Sequence, residues 1–244
     1  MTTCDFATFC YAGDAHRLHA VGQLQKQIES NGYPFNQVII VYQNCNPDDY
    51  PALYCSYPIS LVIIGDIDSV LRSSGIDLNR QQYQSSTDSH HTWKRHVVNH
   101  LAAIGISPSD YIVFADNDCW MIKQPDSWVN KGVEILSANH DVFIVSPNDG
   151  EPERRTQVIS QQMFMARTNE FREADFNQPG WDGNPHVEGG PFPEYWALLE
   201  GRIGLYCEHV NKYRYVLPSE YRYFHHNRLN EDGTYKMNYS DYGL

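Results

Sequence analysis

The chain has 244 residues, 41% of them hydrophobic and 20% charged, which is enough apolar material for a sizeable α/β core and excludes a disordered or fibrous chain. A net charge of −12 lacks the basic footprint of a general nucleic-acid binder, so no nucleic-acid partner is expected. No run of about 18 apolar residues occurs, so no membrane span is expected, and Met1-Thr2-Thr3-Cys4-Asp5 has neither the basic nor the long apolar region of a signal peptide, which points to a cytoplasmic location.

Phe6 to Tyr11 is a short apolar run that predicts a buried strand, ending in Tyr11-Ala12-Gly13-Asp14. Asp14 is placed to cap a helix whose apolar face is Leu18, Val21, Leu24 and Ile28, with Asn31-Gly32 at its end. Val38 to Tyr42 predicts a second strand. A proline-containing loop follows from Asn44 to Pro58, then a third strand from Ile59 to Ile64 that closes on Gly65-Asp66. Arg72 to Ser89 reads as irregular and exposed. A helix over Ser89 to Ile104 turns Trp93, Val97, Leu101 and Ile104 to one side. Six cysteines (Cys4, Cys10, Cys45, Cys55, Cys119, Cys207) show no C-x-x-C pair, the pattern of reduced core thiols.

Asp110 to Ile122 then presents four apolar residues after Tyr111, two carboxylates at Asp116 and Asp118, and a return to apolar character. Carboxylates inside such a run are costly unless they face a cleft and meet a cation. In a strand or tight turn, residues i and i+2 point the same way, so Asp116 and Asp118 are candidates to share one hard divalent ion, Mn2+ or Mg2+. Gly13-Asp14, Asp66 and Asp116 to Asp118 all follow strands, at the carboxyl edge where ligands bind in parallel sheets.

Beyond Pro125 the pattern predicts a helix at Trp128 to Leu136, a strand at Asp141 to Val145, a charged loop at Glu151 to Thr156 and a strand at Val158 to Ala166. A short helix is predicted near Asn169 to Phe176. Gln178 to Pro193 is a long Gly- and Pro-rich loop holding Trp181, Asp182, His186 and Glu188, and loops of that length are usually functional or mobile. A helix begins near Pro193 with Glu194 beside its positive end. Strand-like pieces between Tyr206 and Tyr223 lead to His225-His226, either of which is a candidate third metal ligand.

Asp110 to Ile122 resembles the D-x-D segment of the GT-A glycosyltransferases, and the resemblance extends over most of the chain. Tyr11-Ala12-Gly13-Asp14 is similar to that family's nucleotide-contacting first turn, and His91-Thr92-Trp93-Lys94 to its basic donor-side helix. Val158 to Arg167, which includes Gln161, is similar to the strand flanking donor sugar and acceptor, and Pro193 to Gly204 to the acidic helix after the acceptor loop. The resemblance implies a Rossmann-like, mostly parallel α/β sheet flanked by helices, with a smaller mixed sheet on the acceptor side. It implies one GT-A-like domain over residues 1–244, with a nucleotide-sugar half (1–118) and an acceptor and catalytic half (119–244). It implies sugar transfer from a nucleoside diphosphate donor, UDP-linked by preference, to a glycan or other hydroxyl acceptor.

In that scheme Tyr11, Ala12, Gly13, Asp14, Asp66, Lys94, Asp116 and Asn117 lie on the donor. Asp116, Asp118 and His225 or His226 hold Mn2+ or Mg2+. Gln161, Trp181 and Asp182 lie on the acceptor, and Glu194 is the general base, with Glu188 and Asp182 as alternates. Glu194-Tyr195 stands in place of the Glu-Asp pair of inverting members, and Ser160-Gln161-Gln162 in place of the Asn-Ser-Gly of a retaining group, so the stereochemistry stays open. Two other readings are a nucleotidyltransferase, which would need a more glycine-rich first loop, and a non-catalytic carbohydrate-binding protein, which the helical periodicity opposes.

Overall fold

Alternation of side chains along buried strands sorts the core into two layers. The first strand, β1 (Cys4–Tyr11), sends Cys4, Phe6 and Cys10 to one face and Ala7 and Phe9 to the other, all buried. β2 (Val38–Gln43) and β4 (Tyr111–Ala115) divide their side chains the same way, and every residue of both strands is buried. The computed structural model describes residues 2–13, 15–76, 89–148, 154–156, 162–176, 203 and 206–225, with residues 89–97 and 154–156 described as backbone only.

One face is covered by α1 (Ala15–Leu18), α2 (Gln23–Glu29) and α5 (Trp128–Ala138), through Leu18, Leu24, Ile28, Trp128, Val129 and Leu136. The other is covered by α3 (Ile67–Ser73), α4 (Ser89–Ile106) and α6 (Thr168–Glu173), through Leu71, Val98, Leu101, Ile104 and Phe171. Fully burying one such side chain contributes roughly 1.5–3 kcal/mol. Aromatic packing continues across the second layer, where Phe9, His100, Phe114 and Phe164 form a chain of ring contacts. Among the described residues no helix is long and apolar enough to cross a membrane.

Among the described residues the main sheet has eight strands. The remaining strands are β3 (Ile59–Ile64), β5 (Cys119–Lys123), β6 (Val142–Ser146), β7 (Arg154–Thr156), β8 (Met163–Arg167), β9 (Tyr213–Val216) and β10 (Arg222–His225). The order is β3-β2-β1-β4-β8-β6-β9-β7, parallel from β3 to β4 and mixed beyond it. The smaller sheet is an antiparallel pair, β5 with β10. Register places Tyr11, Gln43 and Ile64 level at the carboxyl edge, whereas β4 ends lower, with Ala115 beside Thr8. The chain leaving β4 therefore crosses the edge beneath the end of β1.

Four local expectations are revised. The single helix predicted after the first strand is two, because Gly22 takes a left-handed φ of 77°, open to glycine without strain, and Val21 lies fully exposed in the break. α3 replaces part of the expected irregular stretch, because its seven residues are too few to establish a periodicity. Arg154 to Thr156, expected as loop, pairs as the edge strand β7. Residues 206–209 are helical where strand was expected. β3 is confirmed but is only half covered, with Leu61 and Ile63 exposed at the sheet edge.

Candidate active site at the carboxyl edge of the parallel strands

Asp116 to Cys119 forms a tight turn in which the Cys119 N–H donates to the Asp116 carbonyl at 2.9 Å. Its entry is fixed by the Asp116 N–H, which donates to the Gln162 carbonyl at 2.9 Å. A fully buried side chain of α2, Gln27, closes the turn from below: its amide donates to the carbonyls of Asp116 at 2.6 Å and Cys119 at 2.9 Å. Ser30 at the end of α2 accepts from the Met121 N–H at 3.0 Å, so the helix pins β5 as well as the turn.

Asp118 is 9% exposed at the tip of this turn. One of its oxygens, Oδ2, faces two nitrogens: Arg17 Nη1 of α1 at 3.5 Å and His225 Nε2 of β10 at 3.7 Å. The other, Oδ1, accepts from the Cys119 thiol at 3.6 Å. His225 arrives by strand pairing, since it stands opposite Cys119 in the β5–β10 ladder. β10 is in turn anchored to the main sheet by Asn148, whose N–H donates to the Tyr221 carbonyl at 2.7 Å and whose carbonyl accepts from Tyr223. Tyr223 also donates its hydroxyl to Gln162 Oε1 at 3.0 Å, tying β10 to the residue that receives the Asp116 N–H.

Asp118, Cys119 and His225 form the one cluster of three potential metal ligands among the described residues, with donor atoms all within 4.8 Å of one another. Asp116 lies outside that cluster and is half-buried. Asn117 is 3% exposed, and its amide nitrogen has no hydrogen-bond partner among the described residues. Buried carboxylate, imidazole and an unsatisfied amide at one sheet edge fit a bound cation with its anionic ligand.

The other sequence candidates divide by place. Tyr11, Ala12 and Gly13 end β1 at the same edge, Tyr11 half-buried and the next two exposed. Asp66 is exposed and accepts from the Asp68 N–H at 3.0 Å, which makes it the N-cap of α3. It follows β3, three strand spacings from β4, or about 14 Å across the sheet. Lys94 lies in the part of α4 described as backbone only. Asp14, Gln161, Trp181, Asp182, Glu188, Glu194 and His226 lie outside the described residues.

Three contributors escaped the sequence reading. Arg17 was visible as the cation in Gly13-Asp14-Ala15-His16-Arg17, directly after the first strand. Cys119 adjoins the acidic pair but has the apolar neighbours of a core thiol. Gln27 lies beside Ile28 on the helix stripe, a polar residue at a buried position, which is the sign of a specific hydrogen-bonding role.

No protein-family model and no curated protein sequence matches the chain. Solved structures do. Mouse xyloside xylosyltransferase 1, in its apo form, superposes with a TM-score of 0.50 at 10% identity, covering 89% of this chain and 85% of that one. S. aureus TarS (residues 1–349) gives a TM-score of 0.45 at 11% identity over 92% of this chain and 60% of its own. An active-site mutant of LgtC gives 0.43 at 13% identity over 70% of this chain and 60% of its own. The chain thus spans less than two thirds of the TarS and LgtC chains. The xylosyltransferase match, together with the sheet order above, establishes a GT-A type α/β fold.

Proposed function

We propose that the protein is a glycosyltransferase that moves a sugar from a nucleoside diphosphate donor, a UDP-sugar by preference, to a hydroxyl of a glycan or similar acceptor. The observation that carries the reading is the meeting of Asp118 and His225, 3.7 Å apart, at the carboxyl edge of the parallel strands of a GT-A type fold. Two elements more than a hundred residues apart deliver a carboxylate and an imidazole to the same buried point, where the fold class places its ligands. The likeness in fold to a xylosyltransferase supports transfer of a glycosyl group over the nucleotidyl alternative.

Asp118 and His225 would hold Mn2+ or Mg2+, with Asp116 on the ribose or the same ion. A divalent cation bound there supplies the positive charge that offsets a diphosphate leaving group. Arg17, 39% exposed and beside Asp118, adds a guanidinium that can hydrogen-bond phosphate oxygens from the protein side. Tyr11, Ala12, Gly13 and Asp14 form the nucleotide side of the cleft, with Asp66 at its far end and Lys94 as a further cation. Gln27 acts through the turn: it holds Asp116–Cys119 so that the Asp118 carboxylate does not reorganise when charge arrives. Glu194 takes the proton of the acceptor hydroxyl, with Glu188 and Asp182 as alternates, while Trp181 and Gln161 orient the acceptor sugar.

The test is donor consumption by purified protein across UDP-, GDP- and dTDP-sugars, with and without Mn2+. Release of nucleoside diphosphate that requires the cation supports the reading. Absence of both turnover and nucleotide binding with every donor overturns it. The anomeric configuration of the product, read by NMR, assigns Glu194: inversion calls for such a base, and retention removes it from that role.

A further inference from the structure

We propose that Cys119 is a third protein ligand of the cation site, which makes it a carboxylate–imidazole–thiolate set that prefers Co2+ or Zn2+ to the harder Mn2+ and Mg2+. The proposal rests on the reading of Asp118 and His225 as a metal site and narrows which ion that site takes.

The geometry is close to that of a bound ion. With metal–ligand bonds of about 2.0–2.3 Å and tetrahedral angles, neighbouring donor atoms stand roughly 3.3–3.6 Å apart. Asp118 Oδ1 and Cys119 Sγ are 3.6 Å apart, and Asp118 Oδ2 and His225 Nε2 are 3.7 Å apart. These two distances run from opposite oxygens of Asp118, and one donor atom from each of the three residues lies within 4.8 Å of the other two. The backbone is already placed: Cys119 and His225 face one another in the β5–β10 ladder, and Gln27 holds the carbonyls on either side of Asp118. All three residues are buried, at 9%, 0% and 8% exposure for Asp118, Cys119 and His225.

The arrangement also has a direction. Cys119 belongs to the hydrophobic layer beneath the turn and closes the inner side of the cluster. Arg17 approaches from the exposed side, toward the same Asp118 oxygen that faces His225. Three protein donors would leave a fourth position for water or substrate, as in a catalytic cation site and not a four-ligand structural one. To hold a cation the Cys119 thiol would release its proton to solvent, and its sulfur and the Asp118 carboxylate would serve as ligands in place of their present hydrogen bond. Thiolate favours the softer divalent ions, whereas Mg2+ demands an oxygen octahedron and sheds water reluctantly.

Co2+ titration of the metal-stripped full chain is the test, because a thiolate ligand gives Co2+ a near-ultraviolet charge-transfer band that carboxylate and imidazole do not. The wild type should show the band. Cys119→Ser should lose it with at least a tenfold loss of Co2+ affinity, and Cys10→Ser should keep it. Mg2+ should fail to compete Co2+ out at a hundredfold excess. If Cys119→Ser does not fold, the band in wild type together with its retention in Cys4→Ser, Cys10→Ser, Cys45→Ser, Cys55→Ser and Cys207→Ser still tests the assignment. Co2+ bound without the band overturns the role of Cys119 and leaves the Asp118–His225 site standing. Failure of Co2+, Zn2+ and Mn2+ alike to bind overturns both.

Discussion

Replacing Gln27 with methionine asks whether the acidic turn is held by α2 or merely rests on it. Methionine keeps the length and approximate volume of glutamine, so the packing loss is small. The substitution removes two hydrogen bonds, to the carbonyls of Asp116 and Cys119 at 2.6 and 2.9 Å. At about 1 kcal/mol each, the loss is roughly 2 kcal/mol. Two features bound it. Asp116 keeps one donor, the Cys119 N–H, and Gln27 Oε1 has no partner among the described residues, so removing it recovers part of that cost. A net destabilisation of about 1–2 kcal/mol is the expected outcome, read as a lower urea midpoint with an unchanged slope. Because Asp118 sits between the two carbonyls, Mn2+ or Co2+ affinity should fall about tenfold, the scale on which loss of groups that orient metal ligands is felt. Stability and cation affinity both equal to wild type would refute the claim that Gln27 organises the site.

Asp118→Asn removes the carboxylate charge that faces Arg17 and His225; cation binding by calorimetry should be lost, with a thermal midpoint within a few degrees of wild type. Gly13→Ala should leave the fold intact, because an added Cβ meets no atom within 4 Å and the φ is not left-handed. Any fall in nucleotide affinity in that variant then reports close approach of ligand to this turn. Tyr221 donates to Asp126 at 2.6 Å, and that hydrogen bond, reinforced by burial, raises its hydroxyl to about 12 from 10. A raised folded value means stability that is complete below pH 10 and is lost as pH climbs toward 12. Tyr221→Phe should therefore lower the thermal midpoint at pH 8 and flatten its decline between pH 10 and 12; an unchanged alkaline slope would remove Tyr221 from that transition.

By itself the sequence determined the parallel half of the sheet and the acidic turn. Phe6 to Tyr11, Val38 to Tyr42 and Tyr111 to Ala115 are apolar on both faces, a pattern that only strands covered on two sides satisfy. Asp116 and Asp118 were legible as candidates because a carboxylate inside such a run needs a partner, whether a cation or, as at the buried Asp5, a set of hydrogen-bond donors. Local breaks were less legible. The kink at Gly22 depends on a single left-handed φ, and the cap at Asp66 looks, in sequence, like one more carboxylate after a strand.

Tertiary structure alone decided which side chains meet. His225 reaches Asp118 because β10 pairs with β5 and Asn148 anchors the pair, contacts between segments more than seventy residues apart that no local pattern encodes. Arg17 reaches the same oxygen because β4 ends three residues lower than β1, a register fixed by hydrogen bonding and not by composition. Cys119 belongs by its neighbours to the core and by its sulfur to the Asp118–His225 cluster, and that second membership exists only once both strands of the small sheet are in place. Burial patterns are local and survive in the chain as periodicity, whereas the geometry of a site is set by pairings across distance, where the folded packing makes the choice.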